Sequence, residues 1–171
     1  TYFDLVRAFA KAWNDGDPAS NAGVPLVLTP TVDINAGSQV ARNTVAEVYA
    51  QAISDLTEAE AKLPDENGFF ADKAAAAGML ARIYLQKLDY ANAANAANRA
   101  IDYALAIGKD LTPSYADAFP TSDGNTSEDI FATQVTASSG YNAYQDFYSA
   151  DGRGDIQIND EQIALYEPND D

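Results

Sequence analysis

Neither cysteine nor histidine occurs anywhere in the 171 residues. Their absence excludes disulfides, Ser-His-Asp and Cys-His nucleophiles, a histidine general base, and any zinc site built on thiolate or imidazole. Basic residues are scarce too: 10 Lys and Arg stand against 26 Asp and Glu, a formal charge of −16. A polyphosphate needs a basic stripe, and so few scattered cations cannot supply one, which excludes nucleic acid as a partner. The balance fits a neutral or cationic partner instead. No apolar run approaches the roughly 20 residues that span a bilayer, and no signal-like segment is present.

What is present is enough for a core. Apolar residues make up 47% and aromatics 11% of the chain, a composition of folded domains rather than disorder. Thr1 leads straight into the apolar-periodic run Tyr2-Phe3-Asp4-Leu5-Val6-Arg7-Ala8-Phe9, and the tail ends in Glu167-Pro168-Asn169-Asp170-Asp171. Both ends read as cuts through a longer protein.

Four segments have helical periodicity. In the first, about Tyr2 to Trp13, Leu5, Val6, Phe9 and Trp13 share a face. Asn14 to Arg42 then interrupts with several Gly and Pro, around a short apolar stretch, Gly23-Val24-Pro25-Leu26-Val27-Leu28, that suits extended chain lying against helices. The second helix starts at Thr44, where Glu47 three residues later completes a capping box, and Pro64 stops it. Its stripe is Val45, Val48, Tyr49, Ala52, Ile53, Leu56, Ala59 and Leu63. The third follows Asp72 through Ala74–Ala77 and buries Met79, Leu80, Ile83 and Tyr84. Asp89 caps the fourth, whose stripe is Ala93, Ala94, Ala97, Ala100, Ile101 and Leu105, before Gly108. A face of alanines lets a neighbouring helix approach closely, so this is a packing helix.

The helices repeat. Leu5-Val6-Arg7-Ala8-Phe9-Ala10 aligns with Leu80-Ala81-Arg82-Ile83-Tyr84-Leu85, and Tyr49, Ala52 and Ala59 have the spacing of Tyr90, Ala93 and Ala100. The second copy follows tetratricopeptide spacing; the first has the same two helices with Asn14 to Arg42 inserted. The expected fold is therefore mainly α: tetratricopeptide-like stacked helix pairs with long loops over 1–108. A loop-rich segment, 109–171, follows, with a minor extended portion near 127–136 where Ile130, Phe131, Thr133 and Val135 favour a strand. The whole, 1–171, reads as one domain.

Five separated motifs carry a family resemblance: Tyr2-Phe3-Asp4-Leu5-Val6-Arg7-Ala8-Phe9, Gly23-Val24-Pro25-Leu26-Val27, the run from Arg42 to Pro64, Lys73-Ala74-Ala75-Ala76 with Leu80–Leu85, and Ser127-Glu128-Asp129-Ile130-Phe131. In this order they resemble the SusD/RagB family over most of 1–135. The resemblance implies a central fragment of a cell-surface glycan-binding lipoprotein of the outer membrane. Such proteins capture oligosaccharides for import by a SusC-like TonB-dependent transporter, and are lipid-anchored through a residue outside this chain. It implies no cofactor and no catalysis. A helical-repeat adaptor that binds only protein is the alternative.

No binding motif transfers from the family, so a candidate site rests on residue chemistry. Tyr141, Asn142, Tyr144, Gln145, Asp146 and Tyr148 combine aromatic faces for sugar C–H stacking with amides and a carboxylate for hydroxyls. The same tyrosines would equally plug a groove beside the helices. Trp13, in the stripe of Phe9, reads as core. With 26 acids, chance carboxylate pairs are abundant and none sits in an apolar run, so no catalytic pair is assigned. Asp15-Gly16-Asp17 and Asp123-Gly124-Asn125 lack the spaced series of a calcium loop and read as turns, as does Arg153-Gly154-Asp155. No metal ligand is assigned.

Overall fold

Helix starts in this chain are written locally, and the structure uses them. The computed structural model describes residues 1–33, 39–119, 124–134, 138, 143–148 and 152–166, with 143–145 described by backbone alone. Thr44 Oγ1 accepts from Glu47 N at 3.2 Å while Glu47 Oε2 accepts from Thr44 N at 2.7 Å, and helix α2 runs from there over Val45–Lys62. These bonds satisfy amides that the first turn leaves unpaired. Asp72 starts α3 (Lys73–Gln86) by accepting from Ala75 N at 2.8 Å, and Asp89 starts α4 (Tyr90–Ala106) by accepting from Asn92 N at 3.3 Å. The first helix, α1, spans Tyr2–Phe9. Among the described residues there is no strand; one isolated bridge joins Ala22 to Thr44.

The chain divides into two compact units, Thr1–Thr133 and Gln134–Asp171. In the first, α1 packs on α2, α2 on α3, and α3 most extensively on α4, which is the stacked helix-pair order of the repeat. One part of the core gathers Phe3 and Val6 of α1, Val45, Val48, Tyr49 and Ala52 of α2, Ile83 of α3 and Val24. Tyr49 is its hub: the Phe3 ring meets it edge-on at 5.9 Å and the Trp13 ring at 5.0 Å.

The two ends of the insert are tied to the helices. Gly23 N donates to Asn43 O at 2.6 Å, and Asn21 O and Pro18 O accept from Val45 N and Ala46 N, the free amides of α2. Arg42 draws three carbonyls together, donating from Nε to Gly23 O (2.5 Å) and from Nη2 to Ala22 O and Phe9 O. A Cβ on Gly23 would fall 2.8 Å from Thr44 O, so only glycine permits this approach. Val24 is buried and Leu26 packs on the core, as expected of that apolar stretch, whereas Val27 and Leu28 are exposed.

Three expectations change. The first helix ends at Phe9, where Ala10 turns extended and Arg42 takes the Phe9 carbonyl. Its buried face is Phe3 and Val6, leaving Phe9 71% exposed and Trp13 packed beyond the helix. In α4 the buried alanines are Ala93, Ala96, Ala100 and Ala104, while Ala94, Ile101 and Leu105 face outward. The strand expected near 127–136 is replaced by a turn, because Asp129 Oδ2 accepts from Thr126 N (2.7 Å) and Thr126 Oγ1, and Asp129 N donates back to Thr126 O. Such local bonds compete with a sheet ladder. Residues 130–134 continue as irregular chain, and 135–137 lie outside the described residues.

Candidate functional site

The unit Gln134–Asp171 carries the sequence-predicted site. Tyr141 and Asn142 lie outside the described residues. The remaining four fall on α5 (Ala143–Tyr148), so the expected aromatic loop is partly a short helix. The turn after it holds it closed. Arg153 N and Gly154 N both donate to Asp146 O, at 2.7 and 3.3 Å, and Ile156 N donates to Phe147 O at 3.0 Å. A Cβ on Gly152 would come within 2.5 Å of Asp146 O, so this closure requires glycine. Arg153 pairs with Asp155 and lies 4.9 Å from the Phe147 ring centroid, which makes Arg153-Gly154-Asp155 the clasp of a turn. A further short helix, α6 (Asp160–Ile163), follows, capped by Asn159.

That geometry rearranges the site residues. Positions 144 and 148 are one helical turn apart, but Asp146 and Tyr148, two apart, do not share a face. Tyr148 is 58% exposed and Asp146 half-buried, so the aromatic surface and the carboxylate present in different directions.

Within the unit Thr1–Thr133 the structure adds a surface that sequence reading passed over as turns. An open cleft of about 240 Å³ runs between the end of α4 and the turn at 127–130, lined by Ile101, Leu105, Leu111 and Ile130. Lys109 closes its floor by donating from Nζ to Asp129 O and Ile130 O, at 2.8 and 2.7 Å. Next to it Tyr115 and Phe119, 72% and 67% exposed, tilt against each other at 5.1 Å on a 3₁₀ turn, Ala116–Ala118. Glu128 Oε2 beside them accepts from Thr112 Oγ1 at 2.9 Å. The spacing Tyr115-x-x-x-Phe119 was the available signal.

Among the described residues, the carboxylates displaced from their ordinary range, Asp17, Glu47, Glu58, Glu60 and Asp89, all move down, because caps and ion pairs favour the charged form. Glu60 of α2 is the most enclosed of these. It receives Arg99 of α4 through two bonds, 2.6 and 2.9 Å, with Tyr103 OH at 3.3 Å. No group of three or more acidic side chains that could hold a metal ion occurs among the described residues.

Comparison with known proteins follows this architecture. Residues 1–85 match the SusD-like family model described as starch-binding and associating with the outer membrane. No curated protein matches the chain significantly. A proposed sugar-binding protein from Bacteroides vulgatus ATCC 8482 superposes with a TM-score of 0.80 at 29% identity, over 96% of this chain and 37% of its own. A SusD superfamily protein from the same organism gives 0.71 at 29%, over 90% and 35%. One from Bacteroides thetaiotaomicron VPI-5482 gives 0.67 at 28%, over 81% and 29%. The chain thus spans little more than a third, or less, of the length of these relatives. Family model, neighbours and stacked helix pairs agree on a SusD-like chain with the fold of that superfamily.

Proposed function

We propose that this chain is part of a non-enzymatic cell-surface protein that captures oligosaccharides and delivers them to a TonB-dependent outer-membrane transporter. The observation that carries the reading is the SusD-like match over residues 1–85, a family described as starch-binding and associating with the outer membrane. Membrane attachment, in this reading, is by a lipid anchor outside residues 1–171, and the outward face is extracellular.

The proposed sugar contacts among Tyr141, Asn142, Tyr144, Gln145, Asp146 and Tyr148 centre on Tyr148, whose helix face Asp146 does not share. Exposed Tyr148, on a helix clasped by the Gly152 turn, supplies a flat apolar face with a polar tip, the combination that a sugar ring meets through its C–H face and hydroxyls. Affinity electrophoresis of the protein through gels containing starch or other neutral polysaccharides tests this. Tyr148→Ala is expected to weaken retardation about tenfold, close to 1.4 kcal/mol, with Tyr148→Phe as the milder variant that keeps the ring. Absence of retardation by every glycan, with a transporter still co-purifying, overturns sugar capture in favour of a protein-binding helical array.

A further inference from the structure

Cations are the scarce resource of this molecule, and their placement is informative. Seven of the ten Lys and Arg hold carboxylates or backbone carbonyls. Lys11, Lys62, Lys73, Arg99 and Arg153 pair with carboxylates; Arg42 and Lys109 hold carbonyls; Lys87 lies over the Trp13 ring. The remaining two, Arg7 of α1 and Arg82 of α3, line one notch of about 60 Å³ with Phe3, Leu85 and Gln86. Neither is paired with a carboxylate among the described residues, in a chain with 26 of them. The Arg7 guanidinium sits 5.2 Å from the Phe3 ring centroid, a contact that engages its charge and none of its N–H donors.

We propose that this notch receives a single Asp or Glu side chain from a partner polypeptide. Two guanidiniums and the Gln86 amide offer several donors to one carboxylate, the group that arginine meets with two parallel bonds. The notch is small and open to solvent, about 60 Å³, with room for one carboxylate between the two arginines. Exposed Leu85 on the rim adds an apolar contact beside it. The −16 charge selects the partner, because it repels a polyanion. The fitting partner surface is neutral or basic overall, with one acidic residue among apolar ones.

The test titrates the 171-residue chain with the blocked peptide acetyl-Ala-Leu-Glu-Leu-Ala-amide, following the arginine Nε–Hε NMR signals. The Glu peptide is expected to shift Arg7 and Arg82 saturably, its Gln twin to shift neither. Arg82→Gln, at an exposed position, is expected to weaken the effect at least tenfold without moving the unfolding temperature; Arg7→Gln is the second variant, with Phe3 packing checked by the same melt. Equal shifts from Glu and Gln peptides, or none, overturn the proposal. Stronger response to free glucuronate than to the peptide overturns the polypeptide assignment. Retardation in starch gels does not involve these residues, so its loss in other variants and loss of peptide binding here are separable.

Discussion

The two helix pairs of the first unit solve the same packing problem with opposite residues. Between α1 and α2 the buried positions are large: Phe3, Val6, Val45, Val48 and Tyr49. In α3 and α4 they are mostly alanine, Ala74–Ala77 of α3 and Ala93, Ala96, Ala100 and Ala104 of α4, with Leu80, while Ile83 of α3 belongs to the core of the first pair. Gly78 of α3 faces Ala100 of α4: a Cβ placed on it would sit in ordinary contact with Ala100 Cβ, at 4.0 Å. Tyr90, aligned in sequence with buried Tyr49, is 63% exposed. The first pair draws in Trp13 and, from the insert, Val24 and Leu26 to complete its core. One repeat pattern therefore supports a pair lined by alanine and a pair filled by large side chains.

The contrast is broken most sharply at Tyr49. If rings hold the first pair, Tyr49→Ala leaves a cavity bordered by Phe3 and Trp13 and costs about 3–5 kcal/mol, as large aromatic truncations do. Chemical denaturation measures it, and a loss below about 1 kcal/mol would mean that the insert, not the ring, carries the core. The second pair fails in the opposite sense. Ala100→Leu, opposite Gly78, is expected to destabilise by about 1–3 kcal/mol through overpacking, and Ala93→Leu, nearer the edge, by less. Unchanged unfolding of both variants would show that α4 tolerates retreat from α3.

Which residues build these pairs was only partly legible. Helix starts were, because Thr44, Asp72 and Asp89 act within three residues of themselves, and so was the stop before Pro64. The face of α4 was not. With alanine at 91, 93, 94, 96, 97 and 100, several stripes look equally apolar, and the packing of α3 against α4 decides among them. The phase of α1 failed similarly, since Phe9 and Leu5 are as apolar as the Phe3 and Val6 that Tyr49 and Ile83 select. Arg42's three carbonyls and the Glu60–Arg99 clamp, 39 residues apart, carry no local signature. For the candidate sugar contacts the composition named chemistry but not direction: helix α5 turns Asp146 away from Tyr148, and only the backbone shows it.

The junction between the pairs also supplies a smaller test. Glu60 on α2 reaches over to Arg99 on α4, so the first pair is pinned to the second by a charge as well as by α3. The Arg99 guanidinium holds the Glu60 carboxyl below its ordinary value of 4.5, burial opposing. A carboxyl lowered in the folded state contributes stability that is complete above that value and is lost as pH falls through the folded value. Wild type is therefore expected to lose more stability than Glu60→Gln between about pH 6 and pH 3, the two converging at the acid end. Reading the difference between the two proteins cancels the titration of the other acids. Parallel curves would show that the clamp adds nothing beyond its hydrogen bonds, leaving the pairs joined by α3 packing alone.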